Sequence, residues 1–398
     1  MSGESVVCFR TLSHSSFFYD VCSGRKGTDG KPWAPAENIK AYPLKGKYFG
    51  WPFRAAAVFK RLDKLYDYDV VFSRVMPPNG HLAGLLIKFL KPQVKWAAYF
   101  SDPVWNSPFI QFRSIFQGKK VQRPNYILMK LFGIPAKLAV RLSDVLVFNN
   151  ERLARYVLGK KYAKYQYKTV IAPYGLEGVE EPEFRQKRPE DRVVFAHVGQ
   201  IYGDRTFSVL LAALERLKER APGLYDKIRV RQVGFLCNSE RMAVESSAVR
   251  DRFSLEGEVG YRESLQAMRE ADCLLIIDPV FKRREQNVYV PAKIFDYMSI
   301  GRPFAAICNE DSATADIVRS VPGGIMAAQE PEAVYKMLAG ILRNGVPQPD
   351  LDAYRGFSCI HGVKAFDEAI QELKNGKRGE GKTIAEVSAE SIHSHSRL

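Results

Sequence analysis

Val288-Tyr-Val-Pro-Ala-Lys-Ile-Phe-Asp-Tyr-Met-Ser-Ile-Gly-Arg-Pro-Phe-Ala-Ala-Ile307 carries a start signal, an amphipathic turn pattern, a stop signal and a following strand in one run. Pro291 suits a first helical turn, where its missing N–H costs nothing. Ile294, Phe295 and Met298 supply an apolar face, and Gly301 ends the helix ahead of Pro303. Lys293 and Asp296 are left off that face. A helix N-terminus offers unpaired N–H donors and partial positive charge, and a lysine one turn in adds a full charge, so an anion is favoured there. The same residues also suit an ordinary surface helix with a solvated Lys and Asp. The rest of the chain decides between the two.

Upstream, Val193-Val-Phe-Ala-His-Val198 is an apolar run of strand type. It leads into Gly199-Gln-Ile-Tyr-Gly-Asp-Arg205 and then an amphipathic helix through Phe207, Leu210, Leu211, Leu214 and Leu217. Strand, glycine turn and helix in this order let the backbone approach a ligand at Gly199 and Gly203, with Arg205 where the helix begins. Glycine pairs of this kind also occur in turns that bind nothing. The alternation continues through a strand at Ile228–Val233, the segment Phe253–Tyr261, a helix at Ser264–Glu270, a buried strand at Cys273–Asp278 and the basic loop Lys282–Asn287. Beyond the quoted stretch, helices are expected at Ser312–Ser320, Pro331–Asn344 and Phe357–Lys374.

The first half alternates in the same way. Val6–Phe9 reads as a strand, and a loop rich in Gly, Pro and aromatic residues spans about 23–52. A helix near Phe53–Lys64, a strand at Asp69–Ser73, a helix at Gly80–Leu90 and strands at Lys95–Phe100 and Val145–Phe148 follow, closing on Val170–Gly175. Strands alternating with helices predict an α/β fold with doubly wound parallel sheets, whose ligand crevice lies beyond the carboxyl ends of the strands. Ser73-Arg74 and Ser101-Asp102 fall at such ends. At 398 residues and 46% apolar content the chain is expected to form two domains, 1–175 and 191–356. An acidic linker over 176–190 joins them, and a helix over 357–374 precedes a polar tail over 375–398 that is expected to be disordered.

The six cysteines are scattered with no metal-type or paired spacing, which suits a reducing compartment and argues against a zinc site. No run of eighteen apolar residues and no export signal is apparent, so the expected location is the cytoplasm. Charge is segregated: residues 1–175 hold 28 Lys and Arg against 10 Asp and Glu, leaving 31 against 34 for the remainder. A basic half next to a near-neutral one implies an anionic partner for the first. Residues 108–142 interleave Phe109, Phe112, Phe116 and Tyr126 with Arg113, Lys119, Lys120 and Arg123, a pattern suited to peripheral contact with an anionic membrane surface. It equally suits a core helix with a basic outer face. No nucleic-acid recognition motif appears, and no nucleic-acid partner is expected.

Three motifs in order and spacing then resemble those of GT-B-fold glycosyltransferases: Gly199…Arg205, Gly260-Tyr-Arg-Glu-Ser264 with Ala271-Asp272, and Pro291-Ala-Lys293…Asp296-Tyr297…Gly301-Arg-Pro303. More narrowly they are similar to the retaining, nucleoside-diphosphate-sugar enzymes that build bacterial surface polysaccharides, over about residues 65–374. The resemblance implies two Rossmann-like domains facing a cleft, the first for a glycan or lipid-linked acceptor and the second for the nucleotide sugar, with the final helix crossing back to the first. It implies that Gly199, Gln200 and Arg205 border the diphosphate, Lys293 lies near phosphates or sugar, and Asp296 accepts from the ribose hydroxyls. Backbone groups at Val259, Gly260 and Tyr261 would face the base. Arg205 stands where a lysine is frequent and Gln200 where an arginine is common. Val288, eight positions before Asp296, replaces the first of an acidic pair, and Ser101 replaces a histidine, leaving Asp102 as the nearby polar candidate. The resemblance implies a strand and a glycine-rich turn ahead of Val6, and the first domain is expected to lack that first strand.

The implied chemistry is transfer of a sugar to an acceptor hydroxyl with retention, needing no metal and no cofactor besides the donor substrate. Arg205 and Lys293 would stabilise negative charge growing on the leaving diphosphate. Two rivals stay open: a sugar-nucleotide epimerase, which needs no acceptor, and a catalytically impaired partner subunit that binds nucleotide or membrane.

Overall fold

The computed structural model describes residues 6–10, 19–23, 50–75, 79–105, 107, 123–182, 192–281 and 283–375. Most of the expected 23–52 loop, the Phe109–Lys120 cluster, part of the linker and nearly all of the tail lie outside them.

Apolar parallel strands need cover on both faces, and each of the two parallel sheets here has it. β1 (Val6–Arg10) and β2 (Tyr19–Ser23) pair antiparallel as a separate two-stranded sheet. Four parallel strands, β3 (Val70–Arg74), β4 (Lys95–Phe100), β5 (Val145–Phe148) and β6 (Thr169–Ile171), lie side by side in chain order. Alternate residues separate by face. Trp96, Ala98, Phe100, Leu146 and Phe148 pack with Ala136, Ala139, Leu153 and Val157 from helices Arg123–Leu142 and Glu151–Leu158. Ala97, Val145, Val147 and Val170 point the other way, onto Ala369 and Ile370 of the last helix, Cys359–Lys374. That helix therefore crosses back to the first sheet. The stacked rings of Phe100 and Phe148, 5.2 Å apart, add about 1 kcal/mol to their burial.

Six parallel strands form the second sheet: β7 (Val193–Val198), β8 (Ile228–Val233), β9 (Phe253–Gly257), β10 (Cys273–Ile277), β11 (Phe304–Ile307) and β12 (Ile325–Ala327). Their order is β12-β11-β10-β7-β8-β9, so the chain winds one way from β7 and returns to wind the other way from β10. One face packs on helices Ser208–Arg220 and Pro331–Asn344, through Leu210, Leu214, Leu217, Val334 and Leu338. The opposite face packs on Tyr261–Glu270, Lys293–Ser299 and Ala313–Arg319. In doubly wound sheets the ligand crevice lies at the carboxyl ends of the strands where the order reverses, here β7 and β10.

The two crossings between the halves run together. Leu176 N–H donates to the Phe357 carbonyl at 3.0 Å, and Cys359 N–H donates to the Leu176 carbonyl at 2.9 Å. Gly175 permits this contact, since a Cβ there would stand 2.5 Å from the Phe357 carbonyl oxygen. A second seam forms at the quoted stretch. Val288, 4% exposed, is buried in the core of the first sheet with Val75, Leu85, Phe100, Val104 and Leu153. The Asn150 side chain caps helix Glu151–Leu158 through its oxygen and donates to the Val288 carbonyl at 3.1 Å through its nitrogen. Arg152 on the same helix pairs with Asp311 and Asp316 of the second half.

Candidate active site

The helix predicted from the quoted stretch spans Lys293–Ser299. Pro291 and Ala292 sit ahead of it, their carbonyls accepting from Ile294 and Phe295 at 3.0 Å. Lys293 is thus its first residue rather than one turn in, and seven residues give a weak dipole, so attraction for an anion rests on the lysine side chain. Gly301 ends the element at φ +69, where a Cβ would also strike the Glu180 carbonyl. Tyr297 fixes the helix from below. Fully buried, its hydroxyl accepts from Val198 N–H at 3.0 Å and lies 3.2 Å and 3.3 Å from the Val198 and Leu275 carbonyls, joining it to both strands that flank the crevice.

Lys293 is thereby laid over the turn that follows β7. Gly199 has φ +137, and a Cβ there would lie 2.5 Å from Lys293 Nζ, so this position needs glycine for conformation and for space. Gly234, after β8, has φ +118 and would meet the Gly199 carbonyl oxygen at 2.4 Å, so the two glycine turns pack backbone on backbone. Arg205 follows at the end of a tight turn in which its N–H bonds the Tyr202 carbonyl at 3.2 Å, with Gly203 at φ +66. Its guanidinium lies over the Tyr202 ring at 5.9 Å.

Three further residues complete the cluster. His197, fully buried on β7, holds Lys293 Nζ at 2.8 Å through Nε2. Its Nδ1 is 2.7 Å from Gln232 Oε1, which only accepts, so Nδ1 carries the hydrogen and Nε2 accepts from the lysine. Asp278, buried just past β10, is the nearby carboxylate. Burial pushes it up to about 6 despite the opposing pull of a Thr314 hydrogen bond and the charges of Arg205 and Lys293. Burial, then Arg205, brings Lys293 down to about 7, with Asp278 and Asp296 acting the other way. Burial, then the Lys293 charge, keeps His197 well below its ordinary value and hence neutral. Lys293, its ammonium disfavoured by burial and by the Arg205 charge, is thus held by a neutral imidazole, and a bound anion would offset both effects.

Asp296 is exposed one turn along from Lys293, whose charge opposes the rise that burial causes in its carboxyl. Gln200 is exposed on the Gly199 turn. Val259, Gly260 and Tyr261 are exposed beyond β9, two strands or about 10 Å from β7. The Gly260 N–H is engaged by Glu263 at 2.5 Å, leaving the Val259 and Tyr261 side chains as the groups open to a ligand. Asp102 lies in the first half, accepting from Ser101 Oγ at 2.8 Å, with its carboxyl raised by burial and Arg74 opposing. The charges of Asp102 and Arg205 both act on Tyr289, whose hydroxyl is 3.1 Å from Ser107 Oγ. Tyr289 therefore stands between the two halves of the predicted set.

Gly199, Arg205 and Asp296 all bear on Lys293, and Asp102 is linked to Arg205 through Tyr289, on which both charges act. Sequence reasoning passed over His197, Gln232 and Asp278. A lone histidine at the end of an apolar strand, and an aspartate closing another, were the signals available.

Two parallel sheets, a crevice at the strand reversal and a last helix that returns to the first sheet define the architecture. The fold is that of the GT-B glycosyltransferases. A UDP-forming α,α-trehalose-phosphate synthase from Burkholderia xenovorans superposes with a TM-score of 0.56 at 12% identity, covering 82% of this chain and 79% of its own. The lipopolysaccharide outer core galactosyltransferase WaaB gives 0.52 at 10% identity, covering 81% and 80%. A trehalose-6-phosphate synthase studied for glycosyl transfer with retention gives 0.56 at 12%, covering 81% and 78%. No family model matches the sequence, and no curated protein matches it.

Proposed function

We propose that the protein is a glycosyltransferase that moves a sugar from a nucleoside-diphosphate sugar to an acceptor hydroxyl with retention. One observation carries this reading: Lys293 Nζ lies over Gly199 on the turn after β7, with the Arg205 charge bearing on it, at the point where strand order reverses. A leaving diphosphate gains negative charge as the sugar bond breaks, and preorganised cations there lower the barrier. In this reading Gly199, Gln200, Arg205 and Lys293 receive the diphosphate, and Asp296 accepts from the ribose. Val259 and Tyr261 flank the base. Asp102, with Ser101, faces the acceptor from the first half. The likeness to UDP-forming and galactosyl-transferring structures supports a nucleotide-sugar donor. The basic first half supports an acceptor carrying phosphate or lipid, such as a lipid-linked glycan precursor, used at an anionic membrane surface by an enzyme residing in the cytoplasm.

A binding-only partner subunit is the second reading, favoured by Val288. That side chain is buried in the first sheet's core and can make no hydrogen bond to a ligand, so Asp296 would hold the donor's hydroxyls without a second carboxylate.

The test is thermal unfolding in the presence of UDP-, GDP-, ADP- and dTDP-linked sugars, since a specific ligand at about a hundred times its Kd stabilises the folded state by about 2.7 kcal/mol. One nucleoside series is expected to raise Tm, and consumption of that sugar nucleotide is expected to speed up when acceptor is added. No shift with any series would sink the reading. A shift without turnover selects the binding subunit, and isomerised product without acceptor selects the epimerase.

A further inference from the structure

Lys293 is held in a way that a phosphate-binding lysine does not require. Its hydrogen-bond partner is an imidazole, not a carboxylate or carbonyl. That imidazole is itself fixed, because His197 and Gln232 are register partners on β7 and β8, joined at 2.7 Å. The Gln232 amide nitrogen then donates to the Gly199 carbonyl at 2.8 Å. A single hydrogen-bonded path thus leaves the lysine, passes through two buried side chains and returns to the residue over which the lysine lies. Ligand turn and ligand cation share one mount.

We propose that His197 and Gln232 are positioning residues that hold Lys293 over the Gly199 turn, so that diphosphate binding is coupled to protonation of that lysine. The inference rests on the nucleotide-sugar reading and adds a regulation of the same site by pH. The groups facing Lys293 are His197 from β7, Arg205 from the turn, Asp278 from the end of β10 and Asp296 from its own helix. At about pH 8 the arginine is charged, the imidazole neutral and both carboxylates ionised, before and after a ligand arrives. Lys293, brought to about 7 by burial and Arg205, is then mostly uncharged in the free protein. A diphosphate set beside it favours the ammonium, so binding draws a proton from solvent. The imidazole must stay neutral for this, because an Nε2–H would face the lysine donor to donor.

Calorimetric titration in two buffers of unlike ionisation enthalpy at about pH 8 counts that proton. UDP, GDP, ADP and dTDP serve in turn as probes, with inorganic pyrophosphate as the base-free control. The wild-type protein is expected to take up roughly half to one proton per nucleoside diphosphate bound. Lys293→Met removes the uptake. His197→Leu removes it too and weakens binding about tenfold, as expected for loss of one hydrogen bond to a charged group. His197→Gln, whose amide oxygen stands where Nε2 stood, restores part of both, whereas a merely structural histidine would change affinity without moving the proton count. Because His197→Leu can unfold, Gln232→Glu is the second variant: its carboxylate favours an imidazolium, and about tenfold weaker binding is expected. Wild-type affinity and proton count in either variant overturn the proposal. Tight binding without proton uptake by the wild-type protein overturns it and leaves the nucleotide-sugar reading standing; no binding of any probe overturns both.

Discussion

The two halves handle positive charge in opposite ways. In the first, which holds 28 Lys and Arg against 10 Asp and Glu, the lysines with buried contacts are occupied by the fold. Lys168 is 3% exposed and donates to the Arg141 and Ser143 carbonyls at a helix end. Lys88 binds the Val94 carbonyl and Asp144, and Lys91 binds Asp63, Asp67 and the Tyr68 carbonyl. In the near-neutral second half, burial and the Arg205 charge work against the ammonium of Lys293, whose hydrogen-bond partner is a neutral histidine. Net charge therefore marks where a protein meets bulk anions, while a chemical site is marked by cations that the fold has left facing one another.

The widest test of this contrast is acid stability. His81, fully buried in the first half with Nδ1 2.8 Å from Ser73 Oγ, is lowered by burial to about 3. The unfolded chain takes up a proton below about 6.5 that the folded chain refuses, so stability is full above that pH and is lost as pH falls toward 3, by up to about 5 kcal/mol. In the second half Asp278 does the reverse, since it is raised to about 6 and stability grows as pH falls from there toward about 4. His197 offsets that gain. Urea midpoints across this range should flatten in His81→Asn and steepen in Asp278→Asn. Parallel curves for both variants and wild type would show that the halves do not differ in this way.

Arg205→Ala is next in size. Loss of one preorganised cation is expected to lower turnover by about a hundredfold with unchanged circular dichroism. Wild-type turnover in the folded variant would remove Arg205 from the mechanism. The matching change in the first half, Lys168→Met, should instead lower Tm and leave turnover alone.

Gly199→Ala follows. A left-handed backbone and a Cβ at 2.5 Å from Lys293 Nζ predict a loss of about 1–3 kcal/mol, together with weaker nucleotide binding as the lysine is pushed aside. A drop in Tm with unaltered binding would separate the turn from the ligand.

Much of this layout was legible in the sequence. Lys95–Phe100, Val145–Phe148 and Val193–Val198 are short, mostly apolar runs whose ends coincide with the observed strands, because a doubly covered strand tolerates little else, and Ile228–Val233 shows instead the alternation of a strand with one partly open face. Gly199, Arg205 and Lys293 were visible as turn and charge signals. His197, Gln232 and Asp278 were not, because their partners are set by strand register. His197 meets Gln232 only when β7 and β8 are aligned, 35 residues apart, and local periodicity holds no trace of that. Val288 read as a gap in an acidic pair, whereas the buried core it joins belongs to the other half.

The smallest effect is expected at the seam. Arg152, one-third exposed, forks onto Asp311 and Asp316, and Arg152→Ala should cost less than about 1 kcal/mol, vanishing at high salt. A large loss that persists in salt would make the seam a rigid part of the core.

Val288 sits at that seam without any charge. If the halves part, its side chain passes from the first sheet's core into water, at about 1.5 kcal/mol. That single residue weights the closed population over the open one by about tenfold. Val288 lies five positions ahead of Lys293, so the segment that carries the lysine is the one anchored in the first sheet's core.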